Sequence, residues 1–204
     1  MNTKDKILEA ALGLFLSGGY DGVSISDIVK AANVSKGGLY NYFSSKEDLF
    51  YQAVYHSYDR LGAFDVKKFS EKDFQDFKSF YQEFSSTYDG LLSMHGKKLS
   101  ELVILWIHAI KKFPDLNARS KKFDNLIFDI FNRNIEKGQR SGELSNKLNS
   151  REIASIYILV FRSTTIDNVF PAESLETHIE PVSIRHAFDD LYYLIRKGEE
   201  NALS

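Results

Sequence analysis

The chain has 204 residues, 43% apolar and 26% charged, with a formal net charge of −2; these are the proportions of a folded globular protein rather than a disordered one, and they point to no polyanionic partner. It holds no cysteine, which excludes disulfides and thiolate metal sites and suits a reducing cytoplasm. The polar start, MNTKDKILEA, does not resemble a secretory leader, and the longest apolar stretches, LVILWI (102–107) and IASIYILVF (153–161), are shorter than the roughly 18 residues of a membrane span, so the expectation is a cytoplasmic protein with no membrane partner.

Apolar residues recur every three or four positions along most of the chain, with three prolines and no alternating pattern; the prediction is an all-helical fold. The first helix spans 3–17, with Ile7, Leu8, Ala11, Leu14 and Phe15 inward and Gly18-Gly19 ending it. Ser24 followed by Asp27 reads as the cap of a short second helix carrying Ile25, Ile28 and Val29. Asn33 and Val34 form a turn. Ser35 caps a third helix, 36–43, and Ser44 or Ser45 caps a longer fourth, 46 to about 61, with Glu47 and Asp48 in its first turn. Residues 62–70 read as a boundary. Ser70 with Asp73 repeats the cap signature ahead of an aromatic stripe from Phe74 to Tyr88. A loop is expected near 89–96, followed by helices over 98–112, 115–139 and 151–166. The stretch 167–180 reads as irregular, and Pro181 as the start of a last helix ending before Gly198. The domain division is 1–47, a three-helix unit, and 48–204, a second helical unit.

Two short helices joined by a tight turn and braced by a preceding one form a helix-turn-helix. In the third helix Leu39 and Phe43 stand one turn apart and anchor it inward. At about 100° per residue, Gly37 and Asn41 face away from that anchor, flanked by Gly38, Tyr40 and Tyr42. Glycine lets a phosphate or base edge meet the backbone. Ser35, Tyr40 and Tyr42 are donors for phosphate oxygens, and Lys36 and Lys46 supply charge. The helix starts add positive dipole ends. The first fifty residues carry five lysines against six acids, so the acids are expected on the far side. Buried aromatics, solvated lysines and a tolerated weak helix are the competing readings of these residues one by one.

The segment GYDGVSISDIVKAANVSKGGLYNYFSSKEDLF closely resembles the DNA-binding segment of the TetR family of bacterial transcriptional regulators. The shared elements are the G-Y after the first helix, I-x-x-I-V-K-A-A, the V-S-K-G turn, L-Y-x-Y-F and K-E-D-L-F; the likeness covers about residues 3–55. It implies an N-terminal DNA-binding domain and a C-terminal ligand-binding and dimerisation domain. The partners it implies are a second copy of the chain, a near-palindromic double-stranded DNA operator and a small-molecule effector. Carried over by position, the DNA contacts are Ser35, Lys36, Gly37, Gly38, Tyr40, Tyr42 and Lys46, with the start of the second helix, Ser24 to Ser26. Many relatives have Thr, Ser or Asn at the position of Gly38, which shifts base reading here toward Lys36, Asn41 and Tyr40.

In the second domain the pocket candidates are Trp106, His108, Phe128, Phe131, Tyr157 and Phe161, each with core packing as the competing reading. Arg162 is a candidate for an anionic ligand or a partner's acid. The helices at 151–166 and 182–197 match the family's dimer-forming pair in position. They offer Ile153, Ile156, Tyr157, Val160, Phe188, Leu191, Tyr192 and Ile195. Two such helices per subunit make a four-helix interface.

The five histidines lack metal-ligand spacing, and no nucleophile elbow, P-loop or dinucleotide fingerprint is present. No enzyme, metal or cofactor is expected. The sequence therefore predicts a ligand-responsive, homodimeric DNA-binding repressor. Its rival is a helical small-molecule-binding or interaction protein without DNA binding.

Overall fold

A computed structural model describes residues 2–60, 66–167 and 182–198. The described helices, in chain order, are α1 (Thr3–Gly18), α2 (Ile25–Ala32), α3 (Lys36–Tyr40), α4 (Lys46–Arg60), α5 (Val66–Glu71), α6 (Phe77–Lys112), α7 (Pro114–Ser141), α8 (Ser150–Asp167) and α9 (Ile184–Ile195). Among the described residues, extended pairing is limited to an isolated antiparallel bridge between Leu144 and Arg196. None of the described helices is long and apolar enough to cross a membrane. The chain forms two compact units, Met1–Ala63 with Lys97–Ser120, and Phe64–Gly96 with Lys121–Ser204.

In the first unit, α1 buries Ile7, Leu8, Ala11 and Phe15. Asn2 caps it, accepting the Asp5 N–H at 2.9 Å, and Gly19, at φ +67°, closes it on the Phe15 carbonyl. The next turn is tight: a Cβ on Gly22 would stand 2.3 Å from the Gly18 carbonyl oxygen, a distance only glycine avoids. The Ser24–Asp27 cap forms as a full capping box, each side chain bonded to the other residue's backbone N–H. Asn33, at φ 54°, ends α2 in the left-handed conformation that asparagine tolerates. Ile28, Leu39, Phe43, Leu49 and Phe50 complete this core, joined by Leu105, Ala109 and Leu116 from α6 and α7. Burial of an aliphatic or aromatic side chain stabilises by about 1.5–3 kcal/mol each, so Leu39 and Phe43 suffice to hold a helix as short as α3.

The third helix is shorter than the expected 36–43. It ends at Tyr40, although Phe43 still donates to the Leu39 carbonyl at 3.1 Å. The cause is the next cap: Asp48 accepts from the Ser44 N–H at 2.8 Å and draws the chain into α4.

The second unit is built around aromatic rings. Phe80 meets Phe131 edge-on at 4.8 Å, Phe84 meets Phe131 at 4.9 Å, and Tyr157 meets Phe188 at 4.8 Å. Three expectations change here. A helix, α5, occupies part of the expected boundary, and Asp73 pairs with Lys137 at 2.7 Å instead of capping. The cap of α6 is Asp76, which accepts the Ser79 N–H at 2.7 Å; Glu143 adds acceptors for the Phe77 and Lys78 N–H groups at 2.8 and 3.0 Å. The expected loop at 89–96 is helical, because α6 runs through it unbroken. A mid-helix glycine costs only about 1 kcal/mol, and buried Tyr88 and Leu91 flank Gly90. The last helix opens at Ser183, which accepts the His186 N–H. Pro181 and nearly all of the stretch read as irregular lie outside the described residues.

Candidate nucleic-acid interface

Packing holds α3 from one side. Leu39 and Phe43 are buried, whereas Tyr40 and Tyr42 are each 45% exposed, and Lys36, Gly37 and Asn41 are also exposed. Ser35 caps the helix, its Oγ accepting the Gly38 N–H at 3.0 Å. A Cβ on Gly37 would meet nothing within 4 Å, so the fold itself does not call for glycine there. One on Gly38 would stand 3.1 Å from the Ser35 Oγ, so this second glycine relieves crowding at the cap.

The neighbouring helix starts contribute to the same region. Ser26 and Lys36 line one shallow depression of about 300 Å³, together with Val29, Lys30, Asn33 and Val34. Lys30 and Asn33 escaped the sequence reading because they sit at the end of α2, a place that capping alone explains. Ser24 is committed to its cap, its Oγ donating to Asp27 at 2.6 Å. Lys46, the first residue of α4, lies over the Tyr20 ring at 4.4 Å.

The expected placement of the acids needs correction. Asp27 and Asp48 sit at the starts of α2 and α4, the same helix starts that carry Ser26 and Lys46. Hydrogen bonds from the Ser24 side chain and backbone hold the Asp27 carboxyl below its ordinary range. For Asp48 burial acts the other way, but bonds from Gln52 and Ser44 outweigh it, and its carboxyl is lowered too. Both charges thus face their own helix amides, where an anion is favoured.

The pocket candidates divide between the units. Trp106, half-buried, and His108, exposed, belong to the first unit. In the second unit, Phe131 and Tyr157 are wholly buried and Phe161 nearly so. The Tyr157 hydroxyl donates to the Phe188 carbonyl at 3.4 Å, and burial raises its pKa. Phe128 is half-buried under the Arg151 guanidinium, 4.9 Å from the ring centre. Arg162 pairs with the chain's own Asp124 at 2.6 Å, both side chains partly exposed.

The dimer candidates also divide. Ile153, Tyr157 and Phe188 are buried within the protomer. Val160, Leu191, Tyr192 and Ile195 are half-buried. The outward apolar residues of α8 and α9 are Ile156, Leu159, Tyr193 and Leu194, with Leu159 at 64% and Leu194 at 76% exposure. Of these four, Ile156 is among the sequence candidates, and Leu159, Tyr193 and Leu194 are not.

The family model for bacterial regulatory proteins of the tetR family matches residues 7–53. The Biofilm operon icaADBC HTH-type negative transcriptional regulator IcaR of Staphylococcus aureus (strain Newman) is 43% identical over 58 residues, 28% of this chain and 31% of that protein. The chain thus aligns with about a third of IcaR's length. The HTH-type transcriptional regulator QacR of Staphylococcus aureus (strain Mu50 / ATCC 700699) is 30% identical over 145 residues, 70% of this chain and 74% of QacR. Among solved structures, reduced Escherichia coli NemR superposes with a TM-score of 0.65 at 16% identity, over 98% of this chain and 100% of that one. Bacillus subtilis FadR in complex with stearoyl-CoA does so with a TM-score of 0.60 at 18% identity, over 93% and 96%. The structural likenesses speak for the fold, and the match to QacR extends well past the helix-turn-helix; the chain belongs to the TetR family of bacterial regulatory proteins.

Proposed function

We propose that the chain is a ligand-responsive, homodimeric DNA-binding transcriptional regulator, a repressor released from its operator by a small molecule. The observation that carries this reading is α3: five residues long, anchored by Leu39 and Phe43, with Tyr40, Asn41, Tyr42 and an unobstructed Gly37 turned to solvent. The contact set is Ser26, Ser35, Lys36, Gly37, Tyr40, Asn41, Tyr42 and Lys46, with Ser24 and Gly38 shaping the helix starts. Residues 1–47 serve as the reading head and 48–204 as the effector and dimerisation domain. IcaR's description as a negative regulator supports the sign, and FadR's complex with stearoyl-CoA supports a small-molecule effector.

Dimerisation uses the outward faces of α8 and α9, centred on Ile156, Leu159, Tyr193 and Leu194 and rimmed by Val160, Leu191, Tyr192 and Ile195. Two heads about 34 Å apart then reach successive major grooves. An effector that favours a different head spacing by about 3 kcal/mol weakens operator affinity more than a hundredfold. The test is selection of bound duplexes from a random pool. A recurrent inverted repeat, bound with an affinity that falls steeply with salt, supports the reading. No enriched sequence and no binding at low salt refutes it and favours a ligand-binding protein that does not read DNA.

A further inference from the structure

Two lysines from distant parts of the chain converge on one ring. Lys46, at the start of α4, and Lys112, the last residue of α6, place their ammonium groups 4.4 and 4.2 Å from the centre of Tyr20. They therefore lie within about 9 Å of each other, a span that one anion can bridge. The ring is a fixed platform: it meets Phe50 edge-on at 4.9 Å and stacks on Phe15 at 6.1 Å. The Glu47 carboxylate stands 3.5 Å from Lys112, and the Lys112 side chain keeps 34% of its surface exposed.

The charge balance of the first unit points the same way. Residues 1–63 carry six cationic side chains against seven acidic ones, whereas 97–120 carry five against two. The positive excess of the first unit thus comes from the segment that bears Lys112, outside the helix-turn-helix.

We propose that Lys112 and Lys46 form a phosphodiester site across the Tyr20 ring, so that α6 contributes a DNA-backbone contact. This rests on the DNA-binding reading above. In the free protein Glu47 occupies Lys112; on the duplex a backbone phosphate replaces it. Such a contact adds affinity without sequence preference.

The test is fluorescence anisotropy with one selected duplex and one scrambled duplex over a potassium chloride series. The proteins are the wild type, Lys112→Gln, Lys112→Arg, Glu47→Gln and Lys36→Gln. The site predicts that Lys112→Gln weakens both duplexes several-fold and lowers the salt slope by about one. Lys112→Arg restores both values, and Glu47→Gln tightens binding by freeing Lys112. Wild-type affinity and slope in Lys112→Gln, beside a loss in Lys36→Gln, overturns the site and leaves the DNA reading standing. Should Lys112→Gln not fold, unchanged affinity in Glu47→Gln overturns it equally. Absence of wild-type binding to either duplex at any salt overturns the reading and the site together.

Discussion

Gly37 offers a perturbation in which stability and function move in opposite directions. A Cβ there meets nothing within 4 Å, and the residue is the second of a helix that begins at Lys36. Replacing glycine by alanine in a helix gains up to about 1 kcal/mol, and about half of that is expected in a first turn. For a chain of this size that is a rise of roughly 1–2 °C in melting temperature. The helix face at Gly37 is the one assigned to the duplex, so a larger side chain obstructs the approach. Gly37→Ala is expected to melt at or above the wild-type temperature and to bind operator DNA more weakly. Gly37→Leu is expected to keep the fold and lose more than tenfold in affinity, about 1.4 kcal/mol. Calorimetry and anisotropy on the same samples separate the two effects. A folded Gly37→Leu variant with wild-type affinity refutes the reasoning, because the glycine would then have neither an internal nor an external cause.

The other expectations concern the frame. Gly22→Ala drives a Cβ toward the Gly18 carbonyl, which cannot yield as a side chain would; a loss of about 1–3 kcal/mol in chemical denaturation is expected. Asp27 and Asp48 have carboxyls lowered from the ordinary 3.8, so the unfolded chain takes up their protons first. The stability they contribute is present above that value and is lost as pH falls through their native values. Melting temperature is expected to fall below about pH 4, less steeply in Asp27→Asn and Asp48→Asn, which are also less stable at neutral pH. Arg162→Ala removes an ion pair whose side chains are 50% and 39% exposed; thermal melts should register at most about 1 kcal/mol. Ile156→Asp with Leu159→Asp is expected to shift the mass seen by light scattering from dimer to monomer without loss of helicity. A dimer that persists refutes the assigned face.

Local signals in the sequence carried through where a single turn decides the structure. The Ser24–Asp27 box and the Leu39–Phe43 pair depend on residues three and four apart, and both stand in the structure as the spacing implies. Signals that depend on tertiary support did not. Gly90 reads as a break because glycine weakens an isolated helix, yet Tyr88 and Leu91 are buried and α6 continues. Periodicity marked α8 as apolar on more than one side but could not say which side the protomer itself covers; Tyr157 is buried among rings from distant helices, whereas Ile156 remains outside. Arg162 with Asp124, and Lys112 with Tyr20, join residues 38 and 92 positions apart, a separation over which no residue pattern gives warning.

The most direct test of the reading head is an amide chemical-shift titration of the isotopically labelled protein with a selected duplex. The account predicts that the perturbed resonances cluster at Ser24–Ser26, Lys30, Ser35–Tyr42 and Lys46, and that they saturate at one duplex per dimer. Saturable binding that leaves the α3 amides unshifted while another surface responds would contradict it.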